Sequence, residues 1–234
     1  MIKESFQYIK RTLTKPRGLD IDSVHPVSEW FGGDRGTPVD RYYIEKFLEE
    51  NSDLIRGNVL EVASNKYIKR FGKNVASMNV LHPVEGTPGA TLIGDLTDPD
   101  SLPENKFQCF ICTQTFHVIY NYMDAIRGAH KLLKPGGVLL ATLGAIAQMS
   151  KFDMERWGDY WRFTTQSAQL SFQQIFGKEN IEINYYGNCL AATSLLRGIA
   201  AEELPRFKLD ICQPEYPVII TVVAKKISSS SANF

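Results

Sequence analysis

The chain has 234 residues, of which 44% are hydrophobic, enough to bury the core of one α/β domain of ordinary size. Its 26 basic and 26 acidic side chains cancel and no long basic cluster appears, so the chain-wide charge does not support binding to DNA, RNA or an anionic membrane. The first residues lack the apolar core of a signal peptide, and no window approaches the roughly 18 consecutive apolar residues of a membrane span, so we expect a cytoplasmic protein without a membrane span.

Two helices are predicted ahead of the first strand. Four apolar residues recur at helical spacing with basic residues between them, and they predict an amphipathic packing helix over residues 2–13. After a glycine-rich loop, a second helix is predicted to run to about residue 51, with Thr37 as its cap, Pro38 at the first helical position and Asp40 at the third. The apolar residues of the first helix are Ile2, Phe6, Ile9 and Leu13.

Strands and helices alternate from residue 58 onward. This alternation predicts an α/β fold with a mostly parallel sheet and right-handed crossovers. We interpret residues 1–227 as a single domain with an N-terminal helical lid segment at 1–52, followed by a disordered tail at 228–234. The predicted strands are 58–62, 75–81, 90–94, 107–113, 137–143, 180–187 and 216–224, and the predicted helices are 64–71, 119–133, 166–176 and an insert around 190–201.

The stretch from Asn58 to Gly72 is an apolar strand that ends in small polar residues and resumes as a helix. Such a junction points backbone N–H groups and the positive end of a helix dipole at whatever lies above the strand. It therefore favours an anionic or polar ligand, such as a nucleotide-type cofactor.

A C-x-x-C pair, Cys109 and Cys112, lies within the strand predicted at 107–113. Strand positions three apart point to opposite faces, so these two thiols cannot share a metal ion. We interpret them as buried structural thiols and expect no metal site.

Four segments follow one another along the predicted sheet: Val59-Leu-Glu-Val62, Gly94-Asp-Leu-Thr97, Cys112-Thr-Gln-Thr115 and Leu132-Leu-Lys-Pro-Gly-Gly-Val-Leu139. In this order they resemble the class I S-adenosylmethionine-dependent methyltransferases over roughly residues 57–143. The resemblance implies a Rossmann-like fold, with a seven-stranded mostly parallel sheet and helices on both faces, and S-adenosylmethionine as cofactor.

Two further segments, 31–43 and 157–164, are similar to the small methyltransferases that accompany glycosyltransferases, including modules of large algal-virus glycan enzymes. This similarity implies methyl transfer to a sugar hydroxyl, on a glycan or a deoxyhexose such as rhamnose. It also implies glycosyltransferases of the same pathway as candidate partners.

The chain departs from that family after its first strand. Relatives carry a loop of the form acid-x-G-x-G-x-G, and here the glycine positions fall on Ala63, Asn65 and Tyr67. Ala63 is small enough for close approach of the cofactor, and we expect Asn65 to keep the turn because Asn tolerates positive φ. We expect Tyr67 to point into the core or over the methionine tail. The second strand presents no acid to the ribose, and His82 or Glu85 would bond a ribose hydroxyl instead.

By resemblance, Glu61 would hold the cofactor's amino group or fix the loop, and Asp95 with Leu96 would contact the adenine. The alternatives are a surface carboxylate at a strand end for Glu61 and a turn-starting residue for Asp95. Arg35 or Arg41 would hold the methionine carboxylate, or belong to a salt-bridge cluster. The predicted cofactor-binding set is Glu61, Ala63, Ser64, Asn65, His82, Asp95, Leu96, Thr113, Gln114 and Arg41.

His117 leaves the fourth strand where the transferred methyl group should lie in such a fold, and we rank it first as the catalytic base. Asp159 ranks second and Asp34 third, because both lie on loops able to close over the same edge. The alternative for His117 is a capping or packing role. The predicted sugar-binding residues are Tyr160, Trp161 and Arg162, whose segment has two alternative interpretations: a lid tied by Arg–Asp pairs, or a partner interface.

Two other functions compete with sugar methylation. The missing glycines suggest a catalytically degenerate methyltransferase fold that serves as a binding or scaffold protein. A nicotinamide-dependent oxidoreductase is weakened because no G-x-G-x-x-G follows the first strand and no acid ends the second.

Overall fold

The structure is a computed structural model, and it describes residues 2–13 and 23–227. The predicted tail at 228–234 lies outside the described residues. The described residues divide into two compact units, the first within Met1–Lys46, Ala145–Gln148 and Tyr185–Ile219, and the second within Phe47–Gly144, Met149–Asn184 and Ile220–Phe234. The single-domain interpretation of residues 1–227 stays a prediction.

The predicted helices and strands occur in the predicted order, with bounds that differ by a few residues, and two short helices, Lys151–Met154 and Arg206–Leu209, were not predicted. The helices are α1 (Ile2–Leu13), α2 (Val39–Glu50), α3 (Lys66–Phe71), α4 (Tyr122–Leu132), α5 (Lys151–Met154), α6 (Thr165–Phe176), α7 (Cys189–Arg197) and α8 (Arg206–Leu209). The strands are β1 (Gly57–Val62), β2 (Val75–His82), β3 (Leu92–Ile93), β4 (Phe107–Thr113), β5 (Leu133–Gly144), β6 (Ile181–Tyr186) and β7 (Ile219–Lys225).

The seven strands form one sheet in the order β3-β2-β1-β4-β5-β7-β6. Strands β1 to β5 pair in parallel. Strand β7 runs the other way, because the N–H of Gly136 near the start of β5 donates to the carbonyl of Lys226 just past the end of β7, at 2.8 Å. The predicted seven-stranded, mostly parallel Rossmann-like sheet is confirmed.

The central strands are apolar along most of their length, which is typical of parallel strands covered on both faces. In β4, Phe107, Phe110 and Ile111 are fully buried. Cys109 and Cys112 are also buried, as free thiols, and burial raises the pKa of each to about 12. They are the buried thiols that the sequence predicts.

The start of α2 differs from the prediction. The N–H of Tyr42 donates to the carbonyl of Pro38 at 3.0 Å, so Pro38 occupies the cap position and not the first helical position. Thr37 does not cap the helix, because its N–H and hydroxyl bond the carboxylate of Glu202 at 2.9 and 2.8 Å.

Helix α1 has the predicted bounds but not the predicted packing. Its apolar residues Phe6, Ile9 and Leu13 are exposed, and it contacts the rest of the first unit through polar side chains. The expectation that α1 packs by its apolar side is therefore wrong. Within residues 2–13 and 23–227, no helix is long and apolar enough to cross a membrane.

Candidate functional site

The candidate site lies in the second unit, at the edge where the parallel strands end. Strands β1, β2, β4 and β5 end there at Val62, His82, Thr113 and Gly144. Their register places Val62 beside Leu81, and Thr113 beside Thr142. The strand order reverses between β1 and β4, and ligands of open parallel sheets bind outside the carboxyl ends at such a switch point.

Glu61 lies at the end of β1 and is only 2% exposed, so it is not a surface carboxylate. Its carboxylate accepts the backbone N–H of Ile68 at 2.9 Å, that of Tyr67 at 3.1 Å, and the hydroxyl of Ser64 at 3.1 Å. Glu61 thus caps the amino end of α3 and fixes the loop, which is one of its two predicted roles. Those two N–H groups therefore serve the chain's own carboxylate, contrary to the expectation that the helix start is left for a ligand.

Burial raises the pKa of Glu61 above its ordinary value of 4.5, and the N–H donors of Ile68 and Tyr67 offset only part of this rise.

The turn after β1 is made by Ala63, whose φ of +64° lies in the left-handed region. The expectation that Asn65 supplies the positive φ is wrong, because Asn65 has a φ of −113° and sits at the cap position of α3. A left-handed non-glycine residue costs roughly 1–2 kcal/mol, and here the backbone around it is fixed by the N–H of Ala63 donating to the carbonyl of Leu81 at 3.0 Å. Ala63 and Ser64 are both exposed at this edge.

Tyr67 takes the first of its two expected positions. Its side chain is buried, and its ring lies 6.2 Å from the ring of Phe71 on the same helix. The tyrosine at the third glycine position therefore packs in the core.

His82 ends β2 with its ring held in place. Its Nδ1 accepts the N–H of Val84 at 3.1 Å and lies 2.9 Å from the hydroxyl of Thr87, and its ring packs edge-on against Trp157 at 5.7 Å. A neutral ring that accepts at Nδ1 carries its proton on Nε2. That nitrogen is then a donor suited to a ribose hydroxyl.

Asp95 and Leu96 follow β3 with opposite exposure. Asp95 is exposed, and its Oδ1 accepts the N–H and the hydroxyl of Thr97 at 2.8 and 2.9 Å. These bonds are those of a residue that starts a turn, which is the alternative to adenine binding predicted for Asp95. Leu96 is buried.

Past the end of β4 the chain turns sharply. Gln114 has a φ of +49°, and its N–H donates to the carbonyl of Thr142 at 3.0 Å. His117 follows in the 3₁₀ turn Phe116–Val118 and is buried. Backbone strain of this kind costs about 1–3 kcal/mol and occurs often at functional sites.

Gly144, the last residue of β5, lies between these two side chains. A Cβ at this position would lie 3.3 Å from Oε1 of Gln114 and 3.9 Å from Nδ1 of His117. Sequence reasoning missed Gly144, because a glycine at a strand end carries no sign of what surrounds it.

The segment after α5 is tied to both strand ends. The carbonyl of His117 accepts the N–H groups of Tyr160 at 2.9 Å and Trp161 at 3.2 Å, and the carbonyl of Gly144 accepts the N–H of Phe163 at 2.9 Å. The predicted substrate segment is thus brought to His117 by backbone bonds.

Asp159 and Arg162 form an ion pair inside this segment. The guanidinium bonds both oxygens of the fully buried Asp159 carboxylate, which also accepts the N–H of Ser150 at 2.8 Å. Burial raises the pKa of Asp159, but the bonds from Arg162 and Ser150 outweigh it and, with His117 nearby, leave the pKa below its ordinary value. The sequence predicts such an Arg–Asp pair as one of the two alternatives for this segment. A carboxylate with a lowered pKa is a weak base, so Asp159 is poorly suited to accept a proton.

A cluster of aromatic rings lies on the same side of the second unit. Tyr120 lies 5.5 Å from Tyr160 and 5.9 Å from Trp161, ring to ring, and its carbonyl accepts the indole N–H of Trp161 at 3.1 Å. Tyr120 and Tyr160 are largely exposed. Sequence reasoning missed Tyr120, although the aromatic pair Tyr120 and Tyr122 just after His117 was a usable signal.

Asp34 and Arg41, two other predicted site residues, belong to the first unit. The carboxylate of Asp34 is held by Lys10 and Ser28; although burial raises its pKa, these bonds leave it below the ordinary value. The guanidinium of Arg35 is buried and bonds both oxygens of Glu203, at 2.9 and 2.6 Å. Arg35 therefore forms a salt bridge, which is the alternative to holding the methionine carboxylate.

A family model described as a methyltransferase domain matches residues 58–141. A comparison with curated proteins finds no match. The fold is similar to a S-adenosylmethionine-dependent methyltransferase from Archaeoglobus fulgidus, with a TM-score of 0.52 and 12% identity, covering 80% of this chain and 94% of that one.

Two other solved structures are similar. One is a chain from the complex between the Haloferax volcanii Trm112 methyltransferase activator and the putative methyltransferase, with a TM-score of 0.54 and 13% identity over 87% of this chain and 100% of that one. The other is the [4+2]-cyclase SpnF, with a TM-score of 0.53 and 15% identity over 97% of this chain and 96% of that one. At these identities the likeness shows the fold alone.

Residues 58–141 match the methyltransferase domain family, and the sheet has the Rossmann-like fold of class I methyltransferase domains. Domains of this class use S-adenosylmethionine, in agreement with the predicted cofactor. The similarity to sugar methyltransferases and the residue assignments stay predictions.

The strained turn at Ala63 makes a substitution to glycine informative. Ala63→Gly should leave the free energy of unfolding unchanged or raise it by up to about 1 kcal/mol, because relief of the left-handed strain outweighs the added flexibility of glycine. The matched control is Ala168→Gly in α6, where the same change in a buried helical position should cost about 1 kcal/mol or more. Urea unfolding of both variants measures the difference, and equal losses would contradict strain at Ala63.

The raised pKa of Glu61 predicts a pH-dependent effect of Glu61→Gln. The folded wild type keeps a proton that the unfolded chain releases above pH 4.5, so the contribution of Glu61 to the stability of the fold falls progressively as pH rises from 4.5 through the raised pKa. Glutamine does not titrate. The stability of the wild type relative to the variant should therefore be greatest below pH 4.5 and fall toward neutral pH, as measured by urea unfolding of both proteins at each pH. A difference that stays constant or grows with pH would show that this pKa is not raised.

Proposed function

We propose that the protein is an S-adenosylmethionine-dependent O-methyltransferase that acts on a sugar hydroxyl, on a glycan or a deoxyhexose such as rhamnose. The observation that carries the proposal is the placement of His117 just past the end of β4, beside Gly144 and bonded through its carbonyl to the segment that carries the exposed ring of Tyr160, within the residues that match the methyltransferase domain family. A titratable side chain and sugar-sized aromatic faces thus share the edge at which such domains bind ligands.

The residues at the ends of β1 and β2 fit the cofactor. The exposed turn of Ala63 and Ser64 carries only small side chains, so the backbone there can approach a ligand closely. We assign Asn65 to the same contact, with Glu61 supporting the loop from below. His82 would donate from Nε2 to a ribose hydroxyl.

The ends of β3 and β4 complete this assignment. Asp95 and Leu96 would contact the adenine, the carboxylate by accepting from its amine and the leucine by packing on the ring. Thr113 and Gln114 would line the path to the methyl group. Arg41, in the first unit, stays a sequence prediction.

When bound, S-adenosylmethionine supplies an electrophilic methyl group on a positively charged sulfur, which the acceptor oxygen takes directly. A sugar hydroxyl is a poor nucleophile near neutral pH, so a base that takes its proton accelerates the reaction by about 10²–10⁴-fold. His117 would take that proton at a ring nitrogen. Asp159 lies near enough for electrostatic interaction with His117 and would stabilise the positive charge that the ring gains.

The other candidate bases are weaker. Asp159 is engaged by Arg162 and Ser150 with a lowered pKa, and Asp34 is engaged by Lys10 and Ser28 in the first unit. Arg162 would hold Asp159 and not the sugar itself. Tyr160 and Trp161 would then stack on the C–H faces of the sugar.

The competing functions differ in what the protein binds. One structural neighbour is described as a [4+2]-cyclase, so the fold alone does not establish methyl transfer. Calorimetric titration with S-adenosylmethionine, S-adenosylhomocysteine and NADH separates the alternatives. Binding of the first two supports the proposal, binding of NADH alone indicates an oxidoreductase, and binding of none indicates a scaffold.

The role of His117 is tested by His117→Ala. We expect kcat for rhamnosides to fall by about 10²–10⁴-fold, with the Kd for S-adenosylmethionine little changed, because the base acts on the acceptor. His25→Ala, at an exposed histidine of the first unit, is the matched control and should keep wild-type kcat. A His117→Ala enzyme with near wild-type kcat refutes this base. A wild type that methylates a protein, nucleic acid or phenol but no sugar refutes the acceptor.

The space beside Gly144 is tested by Gly144→Ala. The φ of this residue is outside the left-handed region, so alanine strains no backbone, but its Cβ crowds Gln114 and approaches His117. We expect kcat to fall about tenfold to a hundredfold through misplacement of these groups, with a smaller change in cofactor Kd. Thermal unfolding of the variant controls for loss of fold. Unchanged kcat in a folded variant would show that this space does not serve catalysis.

A further inference from the structure

The segment 157–163 contacts the edge of the sheet at both of its ends. At one end, the N–H of Phe163 donates to the carbonyl of Gly144, the last residue of β5, at 2.9 Å. At the other end, the ring of Trp157 lies 5.7 Å from the ring of His82, the last residue of β2, and meets it edge-on. Strands β1 and β4 lie between β2 and β5 in the sheet. The segment therefore runs along this edge, past the ends of both strands.

A tight turn fixes the backbone of Trp157. The N–H groups of Trp157 and Gly158 both donate to the carbonyl of Asp153, at 2.7 and 2.8 Å. Gly158 has a φ of +100°, which favours glycine, and a Cβ there would lie 2.2 Å from the ring of Tyr160. The ring of Tyr160 thus packs directly on the backbone of Gly158. Trp157 is held next to the end of β2 by the chain itself, before any ligand binds.

The side chain of Trp157 keeps capacity for a ligand. It is 41% exposed, and among residues 2–13 and 23–227 no group accepts its indole N–H. The other tryptophan of the segment differs, because the indole N–H of Trp161 donates to the carbonyl of Tyr120 at 3.1 Å. An aromatic face with one available donor suits a ligand that is flat on one side and carries oxygen or nitrogen acceptors. The adenosine part of S-adenosylmethionine is such a ligand.

We propose that Trp157 contacts the adenosine part of the bound cofactor, beside the ribose hydroxyl that His82 would bond. The inference rests on the assignment of His82 to the ribose under the proposed function. A ligand atom that is hydrogen-bonded to a ring nitrogen lies only about 3 Å from it, so a side chain packed on that ring is a neighbour of the ligand. The segment would then serve both ligands, the cofactor through Trp157 and the acceptor through Tyr160 and Trp161.

Calorimetric titration with S-adenosylhomocysteine tests the contact. We expect Trp157→Ala to raise the Kd about tenfold or more, and Trp157→Phe, which keeps a ring, to raise it by less than about threefold. The matched control is Phe152→Ala in α5. Phe152 is 51% exposed and its ring packs on the guanidinium of Arg156 at 3.8 Å, so the Kd of this variant should stay within about twofold of the wild type.

The outcomes separate this inference from the proposed function. Binding to the wild type with an equal Kd for Trp157→Ala overturns the contact alone. A wild type that binds no S-adenosylhomocysteine overturns the proposed function and the contact with it. Circular dichroism of each variant checks that the fold is kept.

An indirect effect through His82 is tested in the His82→Ala background. If Trp157 only orients His82, adding Trp157→Ala there should change the Kd by less than about twofold. We expect a rise of about fivefold or more, because the direct contact is still present to be lost. A loss of affinity confined to proteins that retain His82 overturns the direct contact.

Intrinsic fluorescence gives a readout that does not depend on affinity. The chain has three tryptophans, Trp30, Trp157 and Trp161. We expect saturating S-adenosylhomocysteine to change the emission of the wild type and of Trp161→Phe, but to leave the emission of Trp157→Phe nearly unchanged. A change that persists in Trp157→Phe and disappears in Trp161→Phe overturns the assignment to Trp157.

Discussion

The bonds between the Glu61 carboxylate and the first N–H groups of α3 are the interaction on which the candidate site depends. Helix α3 has only six residues, and a helix this short is not stable by itself. Capping by a buried carboxylate, together with burial of Ile68 and Phe71, holds it in place. The loop between β1 and α3 is thereby closed at both ends, which is why Ala63 can remain in a conformation that alanine rarely adopts.

A second constraint connects the segment after α5 to the sheet. Backbone carbonyls of His117 and Gly144 hold the N–H groups of Tyr160 and Phe163, so the segment carrying Asp159 and the aromatic rings follows the ends of β4 and β5. The side chain of His117 is itself buried. A base shielded from water interacts more strongly with nearby charges than a base on the surface. The same bonds therefore set both the position and the electrostatic surroundings of His117.

Much of this fold can be predicted from local patterns, because the buried side of a helix or strand requires apolar residues at regular intervals. The apolar run of β4 predicts its bounds at 107–113, and strand–helix alternation predicts the parallel sheet. Local sequence patterns do not show which residues, distant along the chain, will form hydrogen bonds, ion pairs or contacts with one another. The assignment of positive φ to Asn65 fails because the backbone path, and not side-chain preference, selects Ala63. The packing predicted for α1 fails because Lys10 finds its partner, Asp34, 24 residues away. Gly144 is missed because its neighbours, Gln114 and His117, follow a different strand, β4.

The capped loop also bears on how fast and how tightly a ligand binds. A loop that needs its ligand to become ordered loses conformational entropy on binding, and that loss reduces affinity. Here the turn at Ala63 is held by bonds to Leu81 and, through α3, to Glu61, all of them internal to the chain. The loop is preorganised, so little ordering remains to be done when a ligand arrives, and association is not slowed by a folding step.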